Sequence, residues 1–541
     1  MKPSTTRIAL AGLCACVFVQ AFFSLRQKSL TYDELSYIPA GYSYVVTGDF
    51  RLNHEQPPLM KLLAGAGMLP LRPRLPVEHA SWAAAGEGDL NTQWDFGREF
   101  LLRANPNGER LVLFARIPTV LVTMLLVVGV FVFARDLYGP AAGLLAATLC
   151  AFDPNILAHG RLATTDLGLA CFTLLAVWAY RRLIRKPAMG TLLAAGALLG
   201  LALLAKFSGL FLLALYPLWA LALPWVPGAV SVPRQIAGRP VPRGPMSRLG
   251  TSVALCAGVI AVALLVVSLG YLAPFRADLY FRDFLAVNVN VDLRFQTYFH
   301  GAFTEGRIPW YFVAAFLLKT PLALLLLLGL RAASRIRHGG EGWDVGILLL
   351  SPVVIWFVII SWKAFQIGIR YVLPVYPFLF VLTSGIVASP WFRRRGVRVA
   401  VAGLVAWGIG SSLATYPHYL PYFNELAGGP SRGIEWLDDS NVDWGQDLIL
   451  LRRFLRDNGI HDARITGMAR YDPALYGVPG FDLPPHEAVG ILSNPAPPPA
   501  VYAVSAHLLN RAKLSPGPVD PLKDLQPVAV LGHTIYVFDL R

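Results

Sequence analysis

Residues 117–134 read IPTVLVTMLLVVGVFVFA and residues 140–157 read PAAGLLAATLCAFDPNIL. The first carries no charge over eighteen positions, and at about 1.5 Å per residue such a helix nearly crosses the roughly 30 Å hydrocarbon core of a bilayer. Working outward, comparable apolar runs occupy 8–25, 163–180, 188–205, 207–226, 251–273, 310–330, 345–361, 371–389 and 399–416. Eleven spans are therefore expected. The fold class that follows is a polytopic α-helical membrane protein of about 11 transmembrane helices, residues 1–416, with a small C-terminal extracytoplasmic α/β domain at 417–541.

The composition agrees. Of 541 residues 55% are hydrophobic and 15% charged, against roughly a quarter charged in soluble proteins. The net charge of +14 would suggest a nucleic-acid partner if it were evenly spread. Instead residues 1–416 hold 37 basic and 19 acidic residues, and residues 417–541 hold 10 and 14. The basic excess sits between spans, and no nucleic acid is implied. With the N-terminus in the cytoplasm, four clusters fall inside: Arg181 to Lys186; Arg234, Arg239, Arg243 and Arg248; Arg331, Arg335 and Arg337; and Arg393 to Arg398. The expected location is thus the bacterial inner membrane, with a large first extracytoplasmic loop at about 26–116 and the tail outside. All five cysteines lie in apolar runs, so no outward disulfide framework is expected.

The tail changes character at about residue 417. Residues 446–457 have helical spacing, whereas 463–469, 500–506, 528–533 and 534–540 read as short strands around a proline-rich loop at 483–500. Several familiar motifs fail. No lysine follows a glycine, which excludes a phosphate-binding P-loop. His54-Glu55 and His486-Glu487 lack the second zinc-binding histidine, and Asp439 to Asp443 starts like a calcium loop but has Trp444 at its sixth position. Turn and capping duty is the better reading of those Asx residues. The sequence requires no cofactor and leaves room for a divalent metal. Gly196 and Gly200 form a GxxxG, read as helix packing.

Ionisable residues concentrate at the outward membrane boundary: Asp33, Glu34, Asp166, Lys206, Lys319, Lys363 and Arg370. A charge at bilayer depth costs about 2.5 to 3.5 kcal/mol on insertion scales, so it normally faces a cavity or a partner. Lys206 and Lys363 could instead snorkel to the interface. Asp33 and Glu34 are neighbours, and on a helix they point about 100° apart. One carboxylate can face a substrate while the other faces protein.

The first outward loop carries Asp33-Glu34, then GYSY at 41–44, GDFRLN at 48–53 and Pro57-Pro58-Leu59 before Lys61. This order resembles the lipid-carrier-dependent glycosyltransferases of the GT-C superfamily, in the group of protein O-mannosyltransferases and lipid A aminoarabinose transferases. Residues 152–166, FDPNILAHGRLATTD, are similar to that family's second acidic loop, and 370–377, RYVLPVYP, to its late-span basic motif. YFNE at 422–425 and DSNVDWGQD at 439–447 look like the tail of a bacterial branch. Gln56 stands where the family has His or Lys, and Ser36 lies near the place of an arginine that aminoarabinose transferases carry.

The resemblance implies a polyprenyl-phosphate sugar donor, which an outward-facing enzyme without a nucleotide site also needs. Displacing a lipid phosphate at the anomeric carbon requires a base for the acceptor hydroxyl and fixed positive charge for the leaving phosphate. Asp33 is the expected base, with Glu34 beside it, and Asp166 would orient hydroxyls or else cap its helix. Lys61, on a helix expected to lie at the outer interface, Arg161 and Arg370 are phosphate candidates; Lys206 and Lys319 stand behind them, and His54 and Gln56 are further substrate-binding candidates. Single displacement would invert the sugar, and the acceptor is protein, lipid or polysaccharide. The rival reading is a flippase for polyprenyl-linked sugar, which would show paired repeats with broken helices; a scaffold protein would leave the boundary carboxylates unexplained.

Overall fold

The computed structural model describes residues 3–86, 91–232, 235–236, 239–240, 244–272, 277–289, 296–339, 342–467, 473–484, 487–488, 491, 498–514 and 526–541. His486, Arg234 and Arg243 lie outside the described residues. Among the described residues, eight helices are long and apolar enough to cross a membrane: Pro3–Leu25, Gly108–Tyr138, Asp166–Arg185, Phe207–Trp225, Pro245–Gly270, Val345–Lys363, Ile369–Ala388 and Arg395–Thr415. Tyr311–Lys319 and Leu322–His338 make a ninth if that bent pair counts as one span. The chain is an integral membrane protein.

The eleven expected spans differ from this in two places. The run at 188–205 is a helix of 17 residues, Met189–Ala205, and the run at 140–157 is a 12-residue helix, Pro140–Ala151, that stops before Asp153. Asp153 then starts a new turn, its carboxylate accepting the N–H groups of Asn155 and Ile156. Hydropathy counts apolar residues and does not see that capping ends the helix.

The bent pair turns by 106° at Thr320-Pro321. Pro321 has no N–H and crowds the turn before it, and the carbonyls freed at the break must find donors inside the protein. Asn424 supplies them, its side-chain amide donating to Leu317 and Thr320 at 2.6 and 2.8 Å. The tail thereby begins inside the helical part, before its own sheet.

Close helix packing follows the small residues. A Cβ on Gly196 or Gly200 would fall 2.4 or 2.6 Å from Cβ of Val262 or Val266 on Pro245–Gly270, so the GxxxG does pack a neighbouring span. In the first loop, Glu34–Thr47 crosses Leu59–Met68 where Gly65 meets the backbone of Gly41; an added Cβ would lie 2.2 Å from the Gly41 oxygen.

The tail carries a five-stranded sheet in the order Phe481–Asp482, Arg464–Thr466, Val501–Ser505, Ile535–Asp539, Ala529–Leu531. The first three are parallel and the last two join antiparallel. Four of these strands lie within expected ones; Phe481–Asp482 is too short to show alternation. The expected helix is present as Leu448–Asp457, and its buried face, Leu448, Ile449, Leu451 and Leu455, joins a core built largely from residues 30–115.

Candidate functional site

Asp33 and Glu34 open the helix Glu34–Thr47 and diverge as their spacing predicts. Glu34 turns inward. Its carboxylate, fully buried, accepts Arg116 Nε and Nη2 at 2.8 and 2.6 Å, Ala163 N–H at 2.8 Å, and the N–H and hydroxyl of Thr31 at 3.0 and 2.8 Å. Burial alone would raise its pKa, but the Arg116 charge and these hydrogen bonds hold it below the usual carboxylate range. Both Glu34 oxygens are thus engaged by protein donors, whereas its neighbour Asp33 is placed differently.

Asp33 faces the other way and pairs with Arg370 at 2.5 Å, their side chains 16% and 10% exposed. Asp166, in the first turn of Asp166–Arg185, pairs with Lys206 at 2.5 Å rather than capping the helix. The ammonium of Lys206 also lies 4.5 Å from the Tyr371 ring centre, next to Arg370 in sequence, so it does not reach for the bilayer surface. The two pairs share one neighbourhood. Tyr37, one turn beyond Asp33, has its phenol pushed well above its usual range first by burial and then by Asp33 and Glu55, with Asp166 adding and Arg370 opposing. His159 is buried with neither ring nitrogen hydrogen-bonded. Burial, opposed by Asp166 and reinforced by Arg370, drives its pKa down to about 3, so it is neutral.

The remaining candidates stand apart from these pairs. Lys61 is 2% exposed and donates to Asn53 O, Asn53 Oδ1 and Gln56 O at 2.6, 3.0 and 2.7 Å, and to the Tyr44 hydroxyl at 3.2 Å. Burial pushes its pKa down to about 7 against the pull of Asp283 and Glu55. Its helix faces protein at this position, not the interface, and its donors are spent on backbone and side-chain oxygens of the same loop. Lys61→Met is accordingly expected to cost about 1 to 3 kcal/mol of stability through unpaired carbonyls, read by thermal unfolding, with turnover per folded molecule retained. Arg161 is also committed to protein, donating to the Ser24 hydroxyl and to Pro417 O and stacking on Tyr419. Lys319 donates to Leu420 O, at 2.9 Å, and to Asn441 O, which ties the broken span to the tail. His54 approaches Asp283 at 3.4 Å, and Gln56 Oε1 is buried without a hydrogen bond.

Two residues escaped the sequence reading. Arg116 is a single arginine at the head of a span, with nothing local to name Glu34, 82 residues away, as its partner. Trp444 belongs to a string read as turn chemistry, yet its indole lies 4.5 Å below the Arg370 guanidinium. The turn chemistry is present as well: Asp443 Oδ1 accepts Gly445 N–H at 2.9 Å. No group of three or more metal-ligating side chains occurs among the described residues.

Solved structures that resemble the chain include three of membrane enzymes. ArnT from Cupriavidus metallidurans bound to undecaprenyl phosphate is 14% identical, with 97% of each chain covered and a TM-score of 0.48. The archaeal oligosaccharyltransferase AglB from Archaeoglobus fulgidus, in complex with an inhibitory peptide and a dolichol-phosphate, is 12% identical over 91% of this chain and 69% of that one, TM-score 0.45. The S. cerevisiae protein O-mannosyltransferase Pmt1-Pmt2 complex bound to the sugar donor is 18% identical over 53% and 35%, TM-score 0.35. No curated protein sequence matches the chain. Residues 111–231, which contain the 152–166 motif, match the family model described as dolichyl-phosphate-mannose-protein mannosyltransferase, in line with the resemblance of that segment to the lipid-carrier-dependent glycosyltransferases.

Proposed function

We propose that this membrane glycosyltransferase moves a sugar from a polyprenyl-phosphate donor to an acceptor hydroxyl on the extracytoplasmic face, with inversion at the anomeric carbon. The observation that carries the reading is the meeting of Asp33 with Arg370 beside Asp166 with Lys206 at the ends of four separate segments. Base, cation and orienting carboxylate are what the displacement needs. The flippase reading has no such need for paired charges and gains no support from the comparisons.

In the reaction the acceptor hydroxyl gives its proton to an Asp33 carboxylate oxygen as its own oxygen attacks the anomeric carbon. The bond from that carbon to the phosphate oxygen breaks, and the polyprenyl phosphate leaves with the electron pair. Asp33 is bound to Arg370. The donor phosphate competes for the same guanidinium, so its arrival both neutralises the phosphate and frees a carboxylate oxygen to act as base. Asp166 and Lys206 together present an acceptor and a donor to sugar hydroxyls.

Arg370→Gln removes the charge and keeps part of the hydrogen bonding. It is expected to lower donor use at least about tenfold, near 1.4 kcal/mol, measured as transfer of radiolabelled sugar from a synthetic polyprenyl-phosphate donor. Wild-type kinetics across donor concentrations would move the phosphate elsewhere, with Lys206 the next residue to test. The acceptor class is read by mass spectrometry of envelope proteins and glycolipids from wild-type and deletion strains.

The four inward basic clusters support a cytoplasmic N-terminus, a bacterial inner-membrane location and an extracytoplasmic tail. Alkaline phosphatase fused after residue 420 should be active. An inactive fusion there with an active one at residue 240 would reverse the orientation.

A further inference from the structure

Asp33 and Arg370 are 337 residues apart in the chain, and the tail loop 440–446 holds the segments that carry them. On the Arg370 side, the Ser440 hydroxyl donates to Ile367 O at 2.6 Å and Asn441 Oδ1 accepts the Ile369 N–H at 2.9 Å. Gly368 lies so close that an added Cβ would sit 2.3 Å from Ser440 Oγ. On the Asp33 side, Ser29 N–H donates to Gln446 O at 2.9 Å and Tyr32 N–H to Trp444 O at 3.0 Å. The loop is braced internally, Gln446 Oε1 accepting Trp444 N–H at 2.6 Å while the Gln446 amide donates to Val442 O at 3.0 Å. Lys319 fastens Asn441 O to the broken span.

Between the two sides lies the Trp444 ring, 1% exposed, under the Arg370 guanidinium. A guanidinium stacked on an aromatic face is held in plane by the ring's negative face and keeps its edge donors available. One edge nitrogen of Arg370 is spent on Asp33, and its buried Nε makes no hydrogen bond. A cation held by its face can exchange one anion for another at its edge without losing its place.

We infer that Trp444 is a positioning residue: its indole is the platform that keeps Arg370 in place while its N–H groups pass from Asp33 to the phosphate of a polyprenyl-phosphate donor. The inference rests on the donor reading above and adds to it that the tail, through this loop, forms part of phosphate recognition.

The test is lipid binding by the full-length protein in nanodiscs, with undecaprenyl phosphate and undecaprenol as the two probes. Trp444→Leu should weaken undecaprenyl phosphate binding at least about fivefold and leave undecaprenol binding unchanged. Trp444→Phe, which keeps an aromatic face, should stay within about twofold of wild type. In an Arg370→Gln background Trp444→Leu should add nothing, since the platform then has no cation to hold. A phosphate affinity unchanged by Trp444→Leu, an equal loss for both lipids, or a loss that persists undiminished without Arg370 each overturns the inference. Because Trp444 is buried, Gly368→Ala serves as the second variant if Trp444→Leu fails to fold. It leaves the indole intact and displaces Ser440, so the same phosphate-selective loss is expected; unchanged phosphate binding would remove the loop from the site. A wild-type protein that binds undecaprenyl phosphate no better than undecaprenol refutes the donor reading itself. Wild-type selectivity that survives Trp444→Leu refutes only the platform.

Discussion

Asp33→Asn is expected to insert and fold like the wild-type chain and to transfer sugar at about one hundredth of its rate or less. The substitution keeps the size of the side chain and leaves an amide oxygen that can still accept from Arg370, so the pair that joins the two halves of the site keeps one hydrogen bond. What disappears is the basicity that would take the acceptor's proton. The assay is single-turnover transfer from a synthetic polyprenyl-phosphate donor, normalised to folded protein, with undecaprenyl phosphate binding measured alongside. Loss of turnover with donor binding retained is the signature of a missing base. Near-normal turnover would remove Asp33 from the mechanism, and a matching loss of binding would recast it as a donor-site residue.

Glu34, the adjacent carboxylate, is expected to give the opposite pattern. Arg116 donates to both Glu34 oxygens and to the carbonyls of Leu25, Lys28 and Ser29, with its side chain 1% exposed. Arg116→Met leaves a buried carboxylate without its cation, a change that costs about 3 to 5 kcal/mol. Glu34→Gln is also damaging, because both oxygens receive N–H donors and the new amide must turn its own hydrogens toward one set of them. Both variants should lower thermal stability sharply in detergent, with turnover per surviving folded molecule close to wild type. The pH dependence follows. Glu34 has a depressed pKa, so its stabilisation is complete above the usual carboxylate range and is lost as the pH falls through its lowered value. Arg116→Met should therefore flatten the acid limb of wild-type stability; an unchanged limb would mean that other carboxylates govern it.

The contrast between these neighbours separates what the sequence holds from what folding adds. Hydropathy alone made this a polytopic membrane protein, because an apolar run long enough for a bilayer is a local property of consecutive residues. Alternation in 500–506 and 534–540 likewise placed the central strands of the tail, and the 100° angle between successive helical positions already required Asp33 and Glu34 to diverge. The sequence also carried the boundary ions as a set. It did not carry their pairing. Asp33 finds Arg370 across 337 residues and Asp166 finds Lys206 across 40, and no periodicity encodes a partner chosen by which segments meet. Lys61 and Arg161 show the same limit from the other side: each looked available for a phosphate, and each is spent on backbone oxygens that burial had left needing a donor. The helix ends turned on similar matters, since a turn capped by Asp153 follows a helix that stops at Ala151 and a proline break served by Asn424 bends the span expected at 310–330. Trp444 is the furthest case. In the sequence it stands in a polar turn, and only the packing of that turn between the Asp33 and Arg370 segments puts an indole under the guanidinium, because what a buried charge rests on is settled by the whole fold around it and not by its neighbours in the chain.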